Sequence, residues 1–259
     1  MITHEERGRG AALVFLHGVG GDAACWRRQL DAFGGRYRAI AWNMPGYGGS
    51  APLAETTFPA LAQALLRLLD GLQIERAHLV GHSMGGMVAQ EVGATSPGRL
   101  LSLALVATSA AFGHPDGDWQ QGFLDSRLGP LDRGHSMAEL APGIVAGLVG
   151  EMPDPAGLEQ AVRSMSGVPE ATYRAALHCL LTFDRRDALA RIRVPTLLLV
   201  GEQDTTVPPA VMERMAARIE GARYVVLPHA GHLANLDQPA PFDAALAAFL
   251  ADLPHEACV

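Results

Sequence analysis

Lysine is absent from this chain. All 20 basic residues among the 259 are arginine, and that absence removes whole chemistries: a pyridoxal Schiff base, a P-loop lysine and a serine–lysine dyad each require an amine. Cysteine is scarce. Cys25, Cys179 and Cys258 stand far apart with no CxxC, which suggests neither a disulfide framework nor a zinc site; they are read as reduced thiols, and no metal is expected. Long apolar runs are also missing. No stretch is long enough to span a bilayer, and residues 1–10 are polar with no apolar signal-peptide core, so a cytoplasmic protein without a membrane partner is expected. Positive charge is in deficit, with a formal net charge of −7 and no basic stripe, which argues against a nucleic-acid partner.

Apolar residues, by contrast, make up 49% of the chain. At this length they can bury one sizeable core, and the chain fits a single α/β domain with an insertion. The most informative stretch is Gly81-His82-Ser83-Met84-Gly85-Gly86. It reads Gly-x-Ser-x-Gly, directly after an apolar run at 77–80 and before a helix-like run at 84–94, the context in which a sharp turn exposes a serine hydroxyl above a sheet. Glycine is needed at 81 and 85 because a Cβ there would clash with neighbouring backbone. Ser83 is the predicted nucleophile; the motif alone leaves open a glycine-rich turn that merely carries a serine.

Around this turn, strands are predicted at 2–6, 11–16, 37–42, 77–80, 100–107, 194–200 and 224–227, and helices at 26–33, 58–72, 84–94, 209–219 and 239–250. Such alternation builds a mostly parallel central sheet of about seven strands with helices on both faces. Between 111 and 190 the pattern breaks. Proline and glycine are frequent there, helix-like pieces stand at 118–126, 155–165 and 169–181, and no strand is evident. Residues 1–110 and 191–259 are therefore read as the core, with 111–190 as a helical insertion over the sheet. The strand at 11–16 runs into His17-Gly18-Val19-Gly20-Gly21, a loop with unobstructed backbone N–H groups such as an anion-stabilising site needs. A plain tight turn is the alternative, and a dinucleotide fingerprint would need a glycine where Ala23 stands.

Serine is a weak nucleophile at neutral pH and needs a histidine base, which in turn needs an acid to fix its tautomer. The strand at 194–200 ends in Gly201-Glu202-Gln203-Asp204, and the strand at 224–227 is followed by Pro228-His229-Ala230-Gly231-His232. Ser83, Asp204 and His232 thus occur in the chain order Ser, Asp, His. His229 and Glu202 are the rivals. His4, His114, His135 and His255 are read as solvated, and His78 and His178 as core or near-core.

Together with Met44-Pro45-Gly46-Tyr47-Gly48-x-Ser50, these motifs resemble the α/β-hydrolase superfamily over nearly the whole chain. The resemblance implies the α/β-hydrolase fold, an oxyanion hole from the backbone N–H groups of Val19 and Met84, and a cap at 111–190. Within the superfamily, residues 106–113, Trp119 and the run from Gly231 to Pro239 look like the 3-oxoadipate enol-lactonase group. Where that group usually has an arginine soon after the cap tryptophan, this chain has Gly122; a later Arg-Trp element is replaced by an apolar 141–148, and an aspartate by Asn43. Serine at 83 argues against haloalkane dehalogenases and epoxide hydrolases, which resemble this fold but use a carboxylate nucleophile.

The expected activity is cleavage of a small carboxylic ester or lactone through an acyl-enzyme on Ser83, with no organic cofactor. Hydrolysis of a C–C bond in a diketone ring-fission product would use the same three residues, and a ligand-binding receptor on this fold is a third reading. Gly122 and the apolar 141–148 predict a neutral, fairly apolar substrate, with Trp119 and Phe123 as candidate pocket walls. Arg127, Arg133, Arg163 and Arg174 remain available elsewhere in the insertion as an anchor for a charged group.

Overall fold

The computed structural model describes residues 1–113 and 118–253; His114, His255 and Cys258 lie outside them. Seven strands form one sheet: β1 (His4–Arg7), β2 (Ala12–Leu16), β3 (Arg38–Trp42), β4 (Ala77–His82), β5 (Leu100–Val106), β6 (Thr196–Gly201) and β7 (Arg223–Leu227). Their spatial order is β1-β3-β2-β4-β5-β6-β7. β1 runs antiparallel to β3, and every other pairing is parallel. β2, β4, β5 and β6 are buried at every position, because helices cover both faces; that is why they read as continuous apolar runs rather than as alternation. The edge differs. β1 is partly exposed, and its Glu5 and Glu6 pair with Arg27 and Arg38, charge that discourages an open edge from templating another chain.

The core helices are α1 (Arg27–Phe33), α2 (Phe58–Gly71) and α3 (Met84–Thr95). α2 shows how local sequence sets them: the Thr57 hydroxyl caps the Ala60 N–H, Pro59 occupies the first turn, and Leu61, Leu65, Leu68 and Leu69 form the buried stripe. Between β5 and β6 stand α4 (Asp118–Asp132), α5 (Met137–Ala146), α6 (Pro155–Ser166) and α7 (Glu170–Leu180). Two of these depart from the sequence reading. α4 runs six residues past 126 although Pro130 in its last turn removes one N–H that would donate to the carbonyl four residues back; burial of Leu128 and Leu131 outweighs that lost bond. α5 was not predicted, since Pro142, Gly143 and Gly147 read as breaks; its start is nevertheless fixed by a reciprocal capping box between Ser136 and Glu139. His178 is also corrected: it lies on the exposed side of α7. The chain closes with α8 (Pro209–Ala216), the short α9 (Ala234–Asp237) and α10 (Pro239–Ala251). Among the described residues no helix is long and apolar enough to cross a membrane.

From β2 the chain steps outward to β3 and then returns to β4 on the other side of β2. At such a reversal the loops after the two adjacent strands diverge and leave a crevice. Leu16, the last residue of β2, is in register with Gly81 of β4, so the loop from His17 and the turn at Ser83 emerge side by side.

Candidate active site

Ser83 sits between β4 and α3 with φ 51° and ψ −118°, a backbone conformation that costs a non-glycine residue on the order of 1–3 kcal/mol. The surroundings enforce it. The Ser83 N–H donates to the Val106 carbonyl at 2.9 Å, and the Ser83 carbonyl accepts from Thr108 Oγ1 at 2.7 Å and from the Gly86 N–H at 2.9 Å. Cβ atoms at Gly81 and Gly85 would overlap the backbone of Gly85 and Leu16 respectively, and one at Gly18 would press on Ser83 Cβ. Three glycines thus let β2, β4 and α3 approach closely enough to lift one hydroxyl above the sheet.

The structure brings Ser83, His232 and Asp204 together. Ser83 Oγ lies 3.1 Å from His232 Nε2, and His232 Nδ1 lies 2.9 Å from Asp204 Oδ2. Because a carboxylate only accepts, Nδ1–H donates to Asp204, leaving the Nε2 lone pair to receive the Ser83 proton. Asp204 is held in turn by the Thr206 and Val207 N–H groups, each 2.8 Å from Oδ1, and is 3% exposed. The rivals face elsewhere. His229 and Glu202 are both exposed, and the His229 N–H donates to Glu202 Oε2. Val19 lines the same cavity as Ser83, Met84 follows Ser83 in the chain, and neither backbone N–H donates to a protein acceptor among the described residues.

Two further histidines, whose contacts the sequence did not reveal, brace this arrangement. His17 Nε2 accepts from the Met44 N–H at 3.0 Å, which requires its Nδ1–H to donate to the Gly18 carbonyl at 2.8 Å; it ties the glycine loop to the neighbouring turn. His82 Nε2–H donates to the His232 carbonyl at 2.9 Å. Burial drives both below the usual histidine range, His17 to about 4 and His82 to about 3, with the adjacent His232 adding to the effect on His82. The unfolded chain protonates both near pH 6.5 whereas the fold keeps them neutral, so the unfolded state binds more protons and stability falls as pH drops below about 6.5. The loss should approach about 1.4 kcal/mol per pH unit for each histidine. Urea unfolding at pH 7.5, 6 and 5 is expected to show a midpoint that falls steadily toward acid; a constant midpoint would contradict neutral, buried His17 and His82.

Above the serine lies a cavity of about 260 Å³ whose wall is mostly apolar. Trp119 and Phe123 both line it, stacked at 5.7 Å and 15°, with Phe112 at 5.4 Å from Trp119. Of the arginines left available by the sequence, Arg127 reaches the wall, one helical turn beyond Phe123. Its guanidinium lies 6.0 Å from the Phe123 ring centroid, and it has no ion-pair partner among the described residues. Arg163 pairs with Glu159, and Arg174 with Asp132 and Glu170; Arg133 is exposed.

A model of the alpha/beta hydrolase fold family matches residues 11–239. The chain is 28% identical over 234 residues to 3-oxoadipate enol-lactonase 1 of Acinetobacter baylyi, covering 89% of this chain and 85% of that one. It is 30% identical over 267 residues to the pimeloyl-acyl-carrier-protein methyl ester esterase of Aeromonas hydrophila subsp. hydrophila, covering 93% and 96%. A thermophilic esterase from Thermogutta terrifontis, solved with malate bound, superposes with a TM-score of 0.87 at 28% identity over 97% of this chain and 93% of the other. With that match spanning most of its length, a seven-stranded sheet and an elbow serine, the chain belongs to the alpha/beta hydrolase fold family.

Proposed function

We propose that this protein is a serine hydrolase that cleaves a small carboxylic ester or lactone. The observation that carries the reading is the hydrogen-bonded line from Ser83 Oγ through His232 to Asp204, 3.1 and 2.9 Å long, opening at its serine end into an apolar cavity. Ser83 attacks the carbonyl while His232 Nε2 takes the hydroxyl proton, and Asp204 holds the imidazole in the required tautomer and stabilises its cation. The carbonyl oxygen, becoming negative, is received by the Val19 and Met84 N–H groups. His232 then protonates the leaving oxygen and activates the water that frees the acid. Residues 111–190 act as a cap that supplies most of the acyl-binding wall. No step draws on a metal or organic cofactor.

Arg127 narrows the substrate. An unpaired guanidinium beside aromatic rings favours an acyl group that ends in a carboxylate, in place of the neutral substrate the sequence suggested, and the enol-lactonase and malate-bound relatives fit that preference. A charge-assisted hydrogen bond contributes about 1.5–3 kcal/mol when buried; for this half-exposed site the lower end applies. Arg127→Gln is expected to raise KM about tenfold for the p-nitrophenyl monoester of glutaric acid and to leave p-nitrophenyl butyrate within about twofold. Equal effects on the two esters would remove Arg127 from substrate recognition. The assignment of the reaction itself is tested by hydrolysis rates across p-nitrophenyl esters, lactones and a meta-cleavage diketone, where esters or lactones should turn over fastest.

A further inference from the structure

Asp237 is an ionisable group that the proposed chemistry leaves unused. It is 1% exposed, has no cation within ion-pairing reach among the described residues, and one of its oxygens, Oδ1, is buried without a partner. The other oxygen, Oδ2, accepts two backbone N–H groups, from Gly231 at 2.5 Å and from Gly150 at 2.7 Å. Burying an uncompensated carboxylate is costly, so the identity of its two donors is informative. Gly231 immediately precedes His232. Gly150 belongs to the strap at 148–151 that joins α5 to α6.

That strap touches both loops that carry the partners of Ser83. The Leu148 carbonyl accepts the N–H groups of His232, at 2.7 Å, and of Leu233, at 3.2 Å. Three residues on, the Glu151 N–H donates to Gln203 Oε1 at 2.8 Å, and Gln203 immediately precedes Asp204. Main chain meets main chain here: a Cβ on Gly150 would overlap the His229 carbonyl, and one on Gly231 the backbone of Val149 and Gly150. On the opposite side, His82 holds the His232 carbonyl. The peptide groups on both sides of the His232 Cα are therefore fixed, and Asp237 secures the residue before it.

We propose that Asp237 is a positioning residue: its carboxylate clamps Gly231 to Gly150, so that the 148–151 strap splints the His232 loop to the Asp204 loop and keeps the imidazole within reach of Ser83. The inference rests on the reading of His232 as the base. Proton transfer demands hydrogen-bond geometry, and a displacement of about 1 Å can cost on the order of 100-fold in rate. Asp237 does not line the cavity, so loosening the clamp should lower kcat and leave KM nearly unchanged.

The chemistry of the clamp distinguishes variants. Asp237→Ala strands two buried N–H groups, whereas Asp237→Asn can keep an oxygen at the Oδ2 place and put its NH₂ where Oδ1 now has no partner. With p-nitrophenyl butyrate as the probe, Asp237→Ala is expected to lose on the order of 30- to 100-fold in kcat with KM within about twofold, while Asp237→Asn keeps a third or more of wild-type kcat. Gln203→Ala, which releases the other end of the strap at a partly exposed position, should lower kcat about three- to tenfold at constant KM; it decides the matter if Asp237→Ala does not fold. Wild-type kcat in Asp237→Ala or Gln203→Ala, or an Asn variant as impaired as the Ala variant, overturns the proposal. Ser83→Ala is measured alongside. Were it active, the reading of the whole site would fall; were it inactive while Asp237→Ala kept wild-type kcat, only the splint would.

Discussion

Replacing Ser83 with alanine is expected to remove nearly all hydrolysis, a loss on the order of 10⁴-fold or more, because no acyl-enzyme can form and only binding and the oxyanion donors remain. The fold should survive. The hydrogen bonds that set the turn use the Ser83 backbone, not its hydroxyl, and the hydroxyl itself faces the cavity, where solvent can satisfy His232 Nε2 in its place. Thermal melting within a few degrees of wild type, together with kcat/KM at the detection limit, is the expected pair of results. A tenth of wild-type activity in the variant, with contaminating esterase excluded, would contradict the mechanism.

The second large effect separates two histidines only three positions apart. His232→Ala should be nearly as damaging as Ser83→Ala, since proton acceptor and donor are lost together and the buried Asp204 carboxylate loses the Nδ1–H it accepts. His229→Ala should stay within about threefold of wild type, because that ring is exposed and its loop is anchored through its backbone N–H to Glu202. Steady-state kinetics on the two variants decide the assignment. The reverse ranking would move the base to His229 and leave the 3.1 Å contact between Ser83 and His232 without a role.

Much of this architecture was legible in the residues because it obeys one-dimensional rules. Strands buried on both faces appear as apolar runs, and an elbow serine demands small neighbours, so β2, β4, β5 and β6 and the Gly81–Gly85 spacing stood out. Between His232 and His229, and between Asp204 and Glu202, the sequence offers only position within a loop, whereas the structure puts His232 3.1 Å from Ser83 and 2.9 Å from Asp204. The insertion was harder. Pro142 and Pro130 lie inside α5 and α4, and local rules treat both as breaks, whereas packing of Met137, Ala141, Val145 and Leu131 into the core outweighs the lost hydrogen bonds. Arg127 could not be placed in the cavity without knowing how far α4 continues past Phe123. The clamp at Asp237 was hidden altogether, because it depends on main-chain N–H groups from two segments that lie more than 80 positions apart, and a sequence does not display where those groups point.

In the proposed mechanism Ser83 Oγ is the atom that carries the acyl group. The most direct measurement is intact-protein mass spectrometry after treatment with a fluorophosphonate, followed by peptide mapping. A single adduct on the peptide containing Ser83, formed in step with loss of turnover and strongly slowed in His232→Ala, is the predicted result. Complete inactivation with the adduct on another residue, or sustained ester hydrolysis by protein fully labelled at Ser83, would contradict it.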